Sequence, residues 1–335
     1  MRGYAEASSL PSTEIRGTTI PRLILGHLPF LGESYQGPGK NREYLKRFSN
    51  KESIVEVLCK AVEEYGVTVA AAAPSTEGRP AALYLEAVRE AMGRTGVEIA
   101  LIPCLRIPLT IDGKPIDDYR RWLTYYGIER RLAGGEILRR YLEDPILLCR
   151  EGWGEKFPHA LAHLDPYGGE DLRRLEVDYE RLRQAVLSLE GLNTILVELG
   201  SETDLLAMAG RLDLLSELVD WLRGTVNRPV LLGSHHAGST IPILEESTVG
   251  FEGYVTPVNS LGVMMFPTQE MAVEAIKGAG KPVIAIKPLA GGRIPPSEAL
   301  EYVYRDVGVD ACMIGVASQT ELDEDLEAAL EKMLV

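Results

Sequence analysis

The sequence predicts an α/β fold: a (β/α)8 TIM barrel with a helical insertion between strands 3 and 4. Short segments rich in Val, Ile, Leu and Ala alternate with longer, charged segments of helical spacing. This alternation is typical of βα units around a parallel sheet. Eight such units fit into 335 residues with room to spare, because a barrel of this type needs about 250 residues.

Most strand candidates are near-continuous apolar runs, as expected for strands buried on both faces. They are residues 22–26, 67–73, 97–104, 194–200, 229–234, 251–257, 282–287 and 310–315. Helical segments follow nearly every strand, at residues 52–65, 80–93, 170–189, 204–223, 239–246, 268–279, 297–305 and 320–333.

The predicted domain organisation is one barrel domain over residues 1–335. The residues in excess of the eight βα units lie in two places. An extension covers residues 1–20, and residues 105–169 separate the third and fourth strands. The second stretch is too long for a bare loop, and it contains RRWLTYYGIERRLAGGEILRRYLED, a pattern of two short amphipathic helices. We expect an inserted helical subdomain over the C-terminal mouth of the barrel. The alternative is a ninth strand at about 160–165.

The charge balance narrows the range of partners. There are 49 acidic and 35 basic residues, a net charge of −14, which disfavours nucleic acid and anionic membranes as partners. No apolar run approaches the roughly 18 residues of a spanning helix, and the polar N-terminal stretch lacks the apolar core of a signal peptide. These features predict a cytoplasmic protein that acts on a small molecule, with the oligomeric state left open.

Cysteine and amide contents add little about function. The four cysteines are widely spaced and form no C-x-x-C pair, so neither a disulfide framework nor a zinc finger is predicted. The sequence has four Gln and five Asn, and a low content of such thermolabile amides is a thermophile tendency.

Lys287 is the most specific candidate for a reactive side chain, because it ends the apolar strand PVIAIK. Barrel enzymes carry their reactive groups at this end of the strands. Desolvation would lower the pKa of the lysine, so that the neutral amine could form a Schiff base with a carbonyl. Two other interpretations stay open: binding of an anionic substrate group, and a structural role.

Histidines and a strand carboxylate complete the catalytic candidates. His27, His235 and His236 lie at strand ends and are candidates for a general acid or base. Glu198 lies within the apolar strand TILVELG, where a carboxylate is unusual unless it is paired. It is either a general base with a raised pKa or an ion-pair partner of Lys287 or Arg106.

A second histidine pair has the spacing of many zinc sites. His159 and His163 are four residues apart, in PHALAHLDP, and would share one face of a helix. The segment lacks the glutamate of an H-E-x-x-H motif, so a polar helix face is the competing interpretation. We assign no metal site.

Glycine-rich loops after the last two strands form a candidate anion site. KPLAGGRIPP contains Gly291, Gly292 and Arg293, and Gly315 and Ser318 follow the eighth strand. Backbone N–H groups at this corner of a barrel often hold a phosphate. Tight turns that require glycine are the competing interpretation.

The chain resembles the aldo-keto reductases. IPRLILGHLPF is similar to the first strand of that family and EYGVTVAAAAPSTEG to the second. The closing half is more similar, in Ser234, KPLAGGR and MIGVASQTELDEDL. The resemblance implies a nicotinamide dinucleotide, NAD(P), against Ser234 and the two glycine-rich loops, although the residues themselves leave the cofactor unknown.

The family's catalytic tetrad has no counterpart at the matching places. The resemblance implies an Asp and a Tyr after strand 2, a Lys on strand 3 and a His on strand 4. This chain has Ala71 to Ala73, Ser75-Thr76, Pro103-Cys104 and Glu198 there. Basic side chains for a 2′-phosphate are also missing after Gly315. The resemblance thus implies the fold rather than the usual carbonyl reduction.

These features favour an aldo-keto-reductase-like enzyme for a small carbonyl- or phosphate-containing metabolite, with lysine-assisted lyase, aldolase or isomerase chemistry. Lys287 would bind or activate the substrate, and Glu198 with His235, His236 or His27 would move protons. The first alternative is a divergent NAD(P)-dependent oxidoreductase. The second is a non-catalytic barrel that binds a ligand or a partner chain, so the reaction class stays open.

Overall fold

The computed structural model, which describes residues 10–333, contains a closed barrel of eight parallel strands surrounded by helices. The predicted (β/α)8 barrel is therefore confirmed. The strands are β1 (Ser12–Ile15), β2 (Thr18–Pro21), β3 (Leu23–Gly26), β4 (Val69–Ala72), β5 (Ala100–Leu105), β6 (Leu109–Ile111), β7 (Lys114–Pro115), β8 (Leu175–Val177), β9 (Val197–Leu199), β10 (Val230–Gly233), β11 (Gly253–Pro257), β12 (Val283–Ile286) and β13 (Ala311–Gly315).

The helices mostly lie between successive strands. They are α1 (Pro38–Arg47), α2 (Lys51–Tyr65), α3 (Arg79–Thr95), α4 (Asp118–Ala133), α5 (Glu136–Glu143), α6 (Trp153–His163), α7 (Gly169–Arg173), α8 (Tyr179–Leu187), α9 (Thr203–Met208), α10 (Leu212–Val226), α11 (Ala237–Glu245), α12 (Gln269–Gly278), α13 (Pro296–Glu301) and α14 (Gln319–Met333). A π-helical turn at 302–307 extends α13.

The barrel strands follow one another in chain order, β3-β4-β5-β9-β10-β11-β12-β13, and β13 pairs with β3 to close the ring. Side chains alternate between the lumen and the surrounding helices. Ile24, Ile102 and Leu231 belong to the lumen layer, which Ile15 and Ile20 of the β1–β2 hairpin extend at the N-terminal end of the strands. The opposite end carries the loops that could hold substrate.

Several helices begin and end at residues whose chemistry explains the boundary. The Asn50 side chain accepts a hydrogen bond from the Ser53 backbone N–H at 3.0 Å and caps α2, and Thr268 caps α12 in the same way. Such caps satisfy N–H groups that have no partner inside the helix. Gly66 ends α2 with φ of 66°, a left-handed conformation that glycine adopts without strain.

Two predicted helices and the alternative ninth strand are corrected by the structure, and the N-terminal extension gains a defined fold. The predicted helix 170–189 is divided into α7, β8 and α8, and the predicted helix 204–223 into α9 and α10. The alternative strand at 160–165 lies in α6 and the residues just after it. The predicted N-terminal extension forms the β1–β2 hairpin, with residues 1–9 outside the described part of the chain.

The segment between β5 and β9 contains more than the two predicted helices. It holds α4 to α8 and a three-stranded antiparallel sheet in the order β7-β6-β8. The sheet was missed because its strands have only two or three residues, too few to show an alternation.

Side chains of this segment contact loops at the carboxyl ends of the barrel strands. Arg140 Nη2 donates to the carbonyls of Gly262 (2.7 Å) and Met265 (2.9 Å), which follow β11. The Asp144 carboxylate accepts from the Met264 backbone N–H at 2.7 Å. The Cys149 thiol lies 3.2 Å from the carbonyl oxygen of Tyr35, which follows β3.

Over residues 10–333, no helix has both the length and the apolar character to cross a bilayer.

The close approach of β3 and β13 gives a stability prediction. A Cβ atom on Gly26 would lie 3.1 Å from the backbone of Ile314 and Gly315. Because backbone atoms of a closed barrel cannot easily shift, we expect Gly26→Ala to lower the free energy of unfolding by about 1–3 kcal/mol. Gly93→Ala is the matched control: Gly93 lies in α3 with open space around it, so the added methyl should stabilise by about 0.5–1 kcal/mol. Urea unfolding measures both, and equal effects would contradict this explanation.

Candidate functional site

The carboxyl ends of β9, β10 and β12 bring Glu198, His235 and Lys287 into one group at the barrel mouth. Leu231 of β10 is a lumen residue, so Gly233 and His235 share its side by alternation. Leu196 is a lumen residue on the approach to β9, which places Glu198 on the same inner side. These are three of the five predicted catalytic side chains.

The closest contact in this group joins a lysine to a histidine. Lys287 Nζ lies 3.1 Å from His235 Nε2. The ammonium donates to the unprotonated Nε2, which requires the neutral tautomer of His235 with its proton on Nδ1. Burial and the neighbouring Lys287 charge both lower the pKa of His235 well below its usual value, which is consistent with that tautomer.

Tyr35, from the loop after β3, covers the lysine. Lys287 Nζ lies 5.1 Å from the centroid of the Tyr35 ring, within the range of a cation–π interaction. Both residues have left-handed backbones, with φ of 58° for Tyr35 and 56° for Lys287. Non-glycine residues rarely adopt this conformation, and they cluster at functional sites where the surrounding structure holds them.

Glu198 sits beside this pair with the Cys104 thiol next to it. The two residues face each other in the β5–β9 pairing. A Cβ atom on Gly233 would lie 2.7 Å from Glu198 Oε1, so the missing side chain of Gly233 leaves the space that the carboxylate occupies. Arg106, the alternative ion-pair partner, instead pairs with Glu77 at 3.2 Å.

Desolvation brings the two titrating groups toward neutral pH from opposite sides. Burial lowers the pKa of Lys287 to about 8, although the nearby Glu198 raises it in part. Burial raises the pKa of Glu198 to about 7, against the lowering effects of Cys104 and Lys287. Near neutral pH the site therefore holds an amine that can lose its proton and a carboxyl group that can exchange one.

Two predicted catalytic histidines face away from this group. Gly26 is on the lumen side of β3, so His27 points outward, where its ring lies 6.2 Å from that of Tyr84 and burial lowers its pKa to about 4. His236 is likewise one residue out of phase with His235, and its ring is 1% exposed. A proton-transfer role at the mouth therefore has no geometric support for either, because side chains along a strand alternate between faces.

The Ser234 hydroxyl also forms a hydrogen bond away from this group. It donates to Asp204 Oδ1 at 2.6 Å, and Asp204 further accepts from Thr240 Oγ1 and from the backbone N–H of His235. This buried carboxylate joins the end of β10 to α9 and α11. The Ser234 hydroxyl thus donates to a buried carboxylate, and its contact with a nicotinamide stays a prediction.

The glycine pair and Arg293 pack against the Tyr35 loop. The backbones of Ala290, Gly291 and Gly292 are all left-handed, with φ between 49° and 75°. A Cβ atom on Gly291 would lie 2.8 Å from that of Tyr35. Arg293 donates to the carbonyls of Tyr35 (2.9 Å) and Ala290 (2.7 Å), so its guanidinium ties loops together.

The loop after β13 is hydrogen-bonded to a carboxylate of the protein itself. The Glu321 carboxylate accepts from the Ala317 backbone N–H at 2.8 Å, and Ser318 Oγ caps α14 by accepting from the Glu321 N–H. A Cβ atom on Gly315 would lie 2.8 Å from Pro29 Cδ, so packing of strand against loop explains this glycine. The Ala317 N–H and the Ser318 hydroxyl are thus hydrogen-bonded within the chain, and dinucleotide binding at this loop stays a prediction.

The second histidine pair lies apart from the mouth. His159 and His163 share a face of α6, with ring centroids 4.4 Å apart, and both are exposed. Across residues 10–333, no three His, Cys, Asp or Glu side chains converge in a way that would hold a metal ion.

Sequence reasoning missed Tyr35 and Cys104. Cys104 follows the lumen residue Ile102 by two positions, and this parity would have placed it beside Glu198. Tyr35 offers no comparable signal, because it lies nine residues past the end of β3 in an irregular loop, and only the fold brings it back over Lys287.

Comparisons with known proteins extend the resemblance seen in the sequence. No protein-family model and no curated protein sequence matches the chain. Two solved structures from Pseudomonas aeruginosa, both provisionally described as an aldo-keto reductase, share 14% identity. One superposes with a TM-score of 0.55 over 98% of both chains, the other with 0.56 over 99% of this chain and all of its own. The fold is thus similar to that of the aldo-keto reductase barrel.

The charge of Glu198 predicts the direction in which the pKa of Lys287 changes when that charge is removed. The Glu198 anion favours the charged form of Lys287, so Glu198→Gln should lower the pKa of Lys287 below its value of about 8, by about one unit. Acetylation of Lys287 by acetic anhydride, followed over pH by peptide mass spectrometry, measures this midpoint. Glu274→Gln changes an exposed carboxylate on α12 and should leave the midpoint in place. A rise in Glu198→Gln would contradict the arrangement.

Proposed function

We propose that this protein is an enzyme that forms an imine between Lys287 and a small aldehyde or ketone metabolite. The 3.1 Å contact between Lys287 Nζ and His235 Nε2 carries the proposal. It pairs a partly buried amine whose pKa is lowered to about 8 with a neutral imidazole. A desolvated lysine beside a proton acceptor is a typical activated nucleophile.

The proposed steps balance in protons. The Lys287 amine attacks the carbonyl carbon. His235 takes the proton that leaves the nitrogen and passes it to the carbonyl oxygen, which becomes a hydroxyl. Glu198, with its pKa of about 7, then supplies a proton as that hydroxyl leaves as water. The product is an iminium ion, which withdraws electrons from the adjacent carbon and so suits lyase, aldolase or isomerase chemistry.

The insertion supports a small substrate. We propose that residues 105–169 cover the C-terminal mouth of a single barrel domain. The contacts of Asp144 with Met264 and of Cys149 with Tyr35 support this arrangement. Access to Lys287 would then pass beside the Tyr35 ring, which favours carbonyl compounds of few carbon atoms.

One observation favours the oxidoreductase alternative. Tyr35 lies against Lys287, and a tyrosine–lysine pair with a histidine nearby resembles the proton-donating group of carbonyl reductases. Such a donor needs a lowered pKa, however, whereas burial and the nearby Glu33 raise the pKa of the Tyr35 phenol. The alternative is therefore less well supported than imine formation.

Trapping tests the proposal directly. With glyceraldehyde or pyruvate and cyanoborohydride, we expect a reduced adduct on Lys287, found by peptide mass spectrometry. The rate should peak near pH 7.5, because attack requires the unprotonated amine, whose pKa is about 8, and dehydration requires the protonated Glu198, whose pKa is about 7.

Lys287→Met should abolish the adduct, whereas Lys281→Met, which changes a lysine paired with Glu245, should not. Equal modification of exposed lysines and Lys287 would reject the proposal. The non-catalytic alternative would then gain if carbonyl compounds still bound the Lys287→Met protein unchanged.

The role of Tyr35 separates the two enzymatic alternatives. Since the ring rather than the hydroxyl covers Lys287, we expect Tyr35→Phe to keep the trapping rate within about twofold, and Tyr35→Ala to slow it at least about tenfold by admitting water. Hydride transfer from NADPH to an aldehyde, present in the wild type and lost in Tyr35→Phe, would instead favour the oxidoreductase.

A further inference from the structure

We propose that Glu129, a fully buried carboxylate of the insertion, is a positioning residue for the His235–Lys287 pair. The inference rests on the proposed function, since it concerns the histidine that serves the imine-forming lysine. Glu129 lies on α4, outside the barrel, and is 0% exposed. A carboxylate this deep must be fully paired to be tolerated.

Three donors satisfy this carboxylate, and they come from two parts of the chain. His236 Nδ1 lies 2.8 Å from Glu129 Oε1, and Ser239 Oγ donates to the same oxygen at 2.9 Å. The Tyr141 hydroxyl of α5 donates to the other oxygen. Glu129 therefore joins the insertion to the junction of β10 and α11.

Among residues 10–333, the His236 ring makes no polar contact besides the one with Glu129. Its Nε2 atom is buried without a hydrogen bond among the described residues. Aromatic rings enclose the imidazole, with Tyr125 at 4.3 Å and Phe266 at 5.2 Å between centroids. The contact with Glu129 is thus the polar interaction that orients the His236 ring.

The adjacent residue is the one that touches Lys287. Because His235 and His236 share a peptide unit, a shift of the His236 ring and its backbone moves His235 as well. Asp204 holds the His235 N–H at 2.9 Å from the α9 side, and Glu129 fixes the next residue from the α4 side. Displacement of about 1 Å is enough to lose a productive contact.

The ionisable neighbours of His236 come from three helices and its own strand end. They are Glu129, Arg121, Tyr125, Tyr141, Asp204 and His235. Against the desolvation of the ring, Glu129 raises the pKa of His236. Removal of Glu129 would therefore leave a ring without its counter-charge and without its polar contact.

Acetylation of Lys287 over pH tests this role without any carbonyl substrate. In Glu129→Ala we expect displacement of His235 to admit water, so that the labelling midpoint of Lys287 rises from about 8 by about one unit. Glu129→Gln should stay near the wild type, because its amide oxygen still accepts from His236 and its amide nitrogen can donate to Tyr141. Rescue by the isosteric variant distinguishes positioning from charge.

Glu245→Ala is the matched control. Glu245 ends the same helix α11 and accepts from the Tyr254 hydroxyl at 2.6 Å, far from His236. An unchanged midpoint in a folded Glu129→Ala protein, or an equal shift in Glu245→Ala, would overturn the proposal. If Glu129→Ala does not fold, Tyr141→Phe replaces it, because this variant removes one hydrogen-bond donor to Glu129. The labelling midpoint of Lys287 should also rise in Tyr141→Phe. An unchanged midpoint would refute the positioning role of Glu129.

Failure of the two proposals can be told apart. A shifted midpoint with no trapped adduct would reject imine formation and keep the positioning role. A trapped adduct on Lys287 with no shift of the midpoint in Glu129→Ala would support imine formation and reject the positioning role.

Discussion

Burial of one amine at the mouth of the barrel is the constraint on which the site depends. An ammonium group loses hydration there, and an isolated buried charge would be too costly to keep. The chain offsets the loss with the aromatic face of Tyr35, the imidazole of His235 and the Glu198 carboxylate. This compensation is partial, so the amine stays in place with a lowered pKa.

The same constraint explains why loops far apart in sequence are held so firmly. Tyr35 and Lys287 both adopt left-handed backbones, which persist only where neighbouring contacts fix them. Arg293 and Cys149 hold the Tyr35 carbonyl, and Asp144 holds Met264, another left-handed residue. Most of these contacts come from the insertion or from the loop after β12, so the mouth is built by segments added to a standard barrel.

The sequence predicted the barrel because strand and helix periodicities are local properties of the chain. It also placed Lys287, Glu198 and His235 correctly at strand ends. It did not show that His27 and His236 face away from the other three side chains, since that requires the parity of each strand relative to the lumen. Tyr35 was missed because its position depends on a loop path, and Glu129 because it acts from the insertion, whose docking has no local signal.

The pKa of the Lys287 amine in the unmodified protein tests the central claim most directly. A titration of the lysine side-chain nitrogens by ¹⁵N NMR, with Lys287→Arg to assign the resonance, measures it. We expect a midpoint near 8, because burial lowers the pKa of the amine. A midpoint close to 10.5, the ordinary value for lysine, would show that the amine is solvated and would contradict the account.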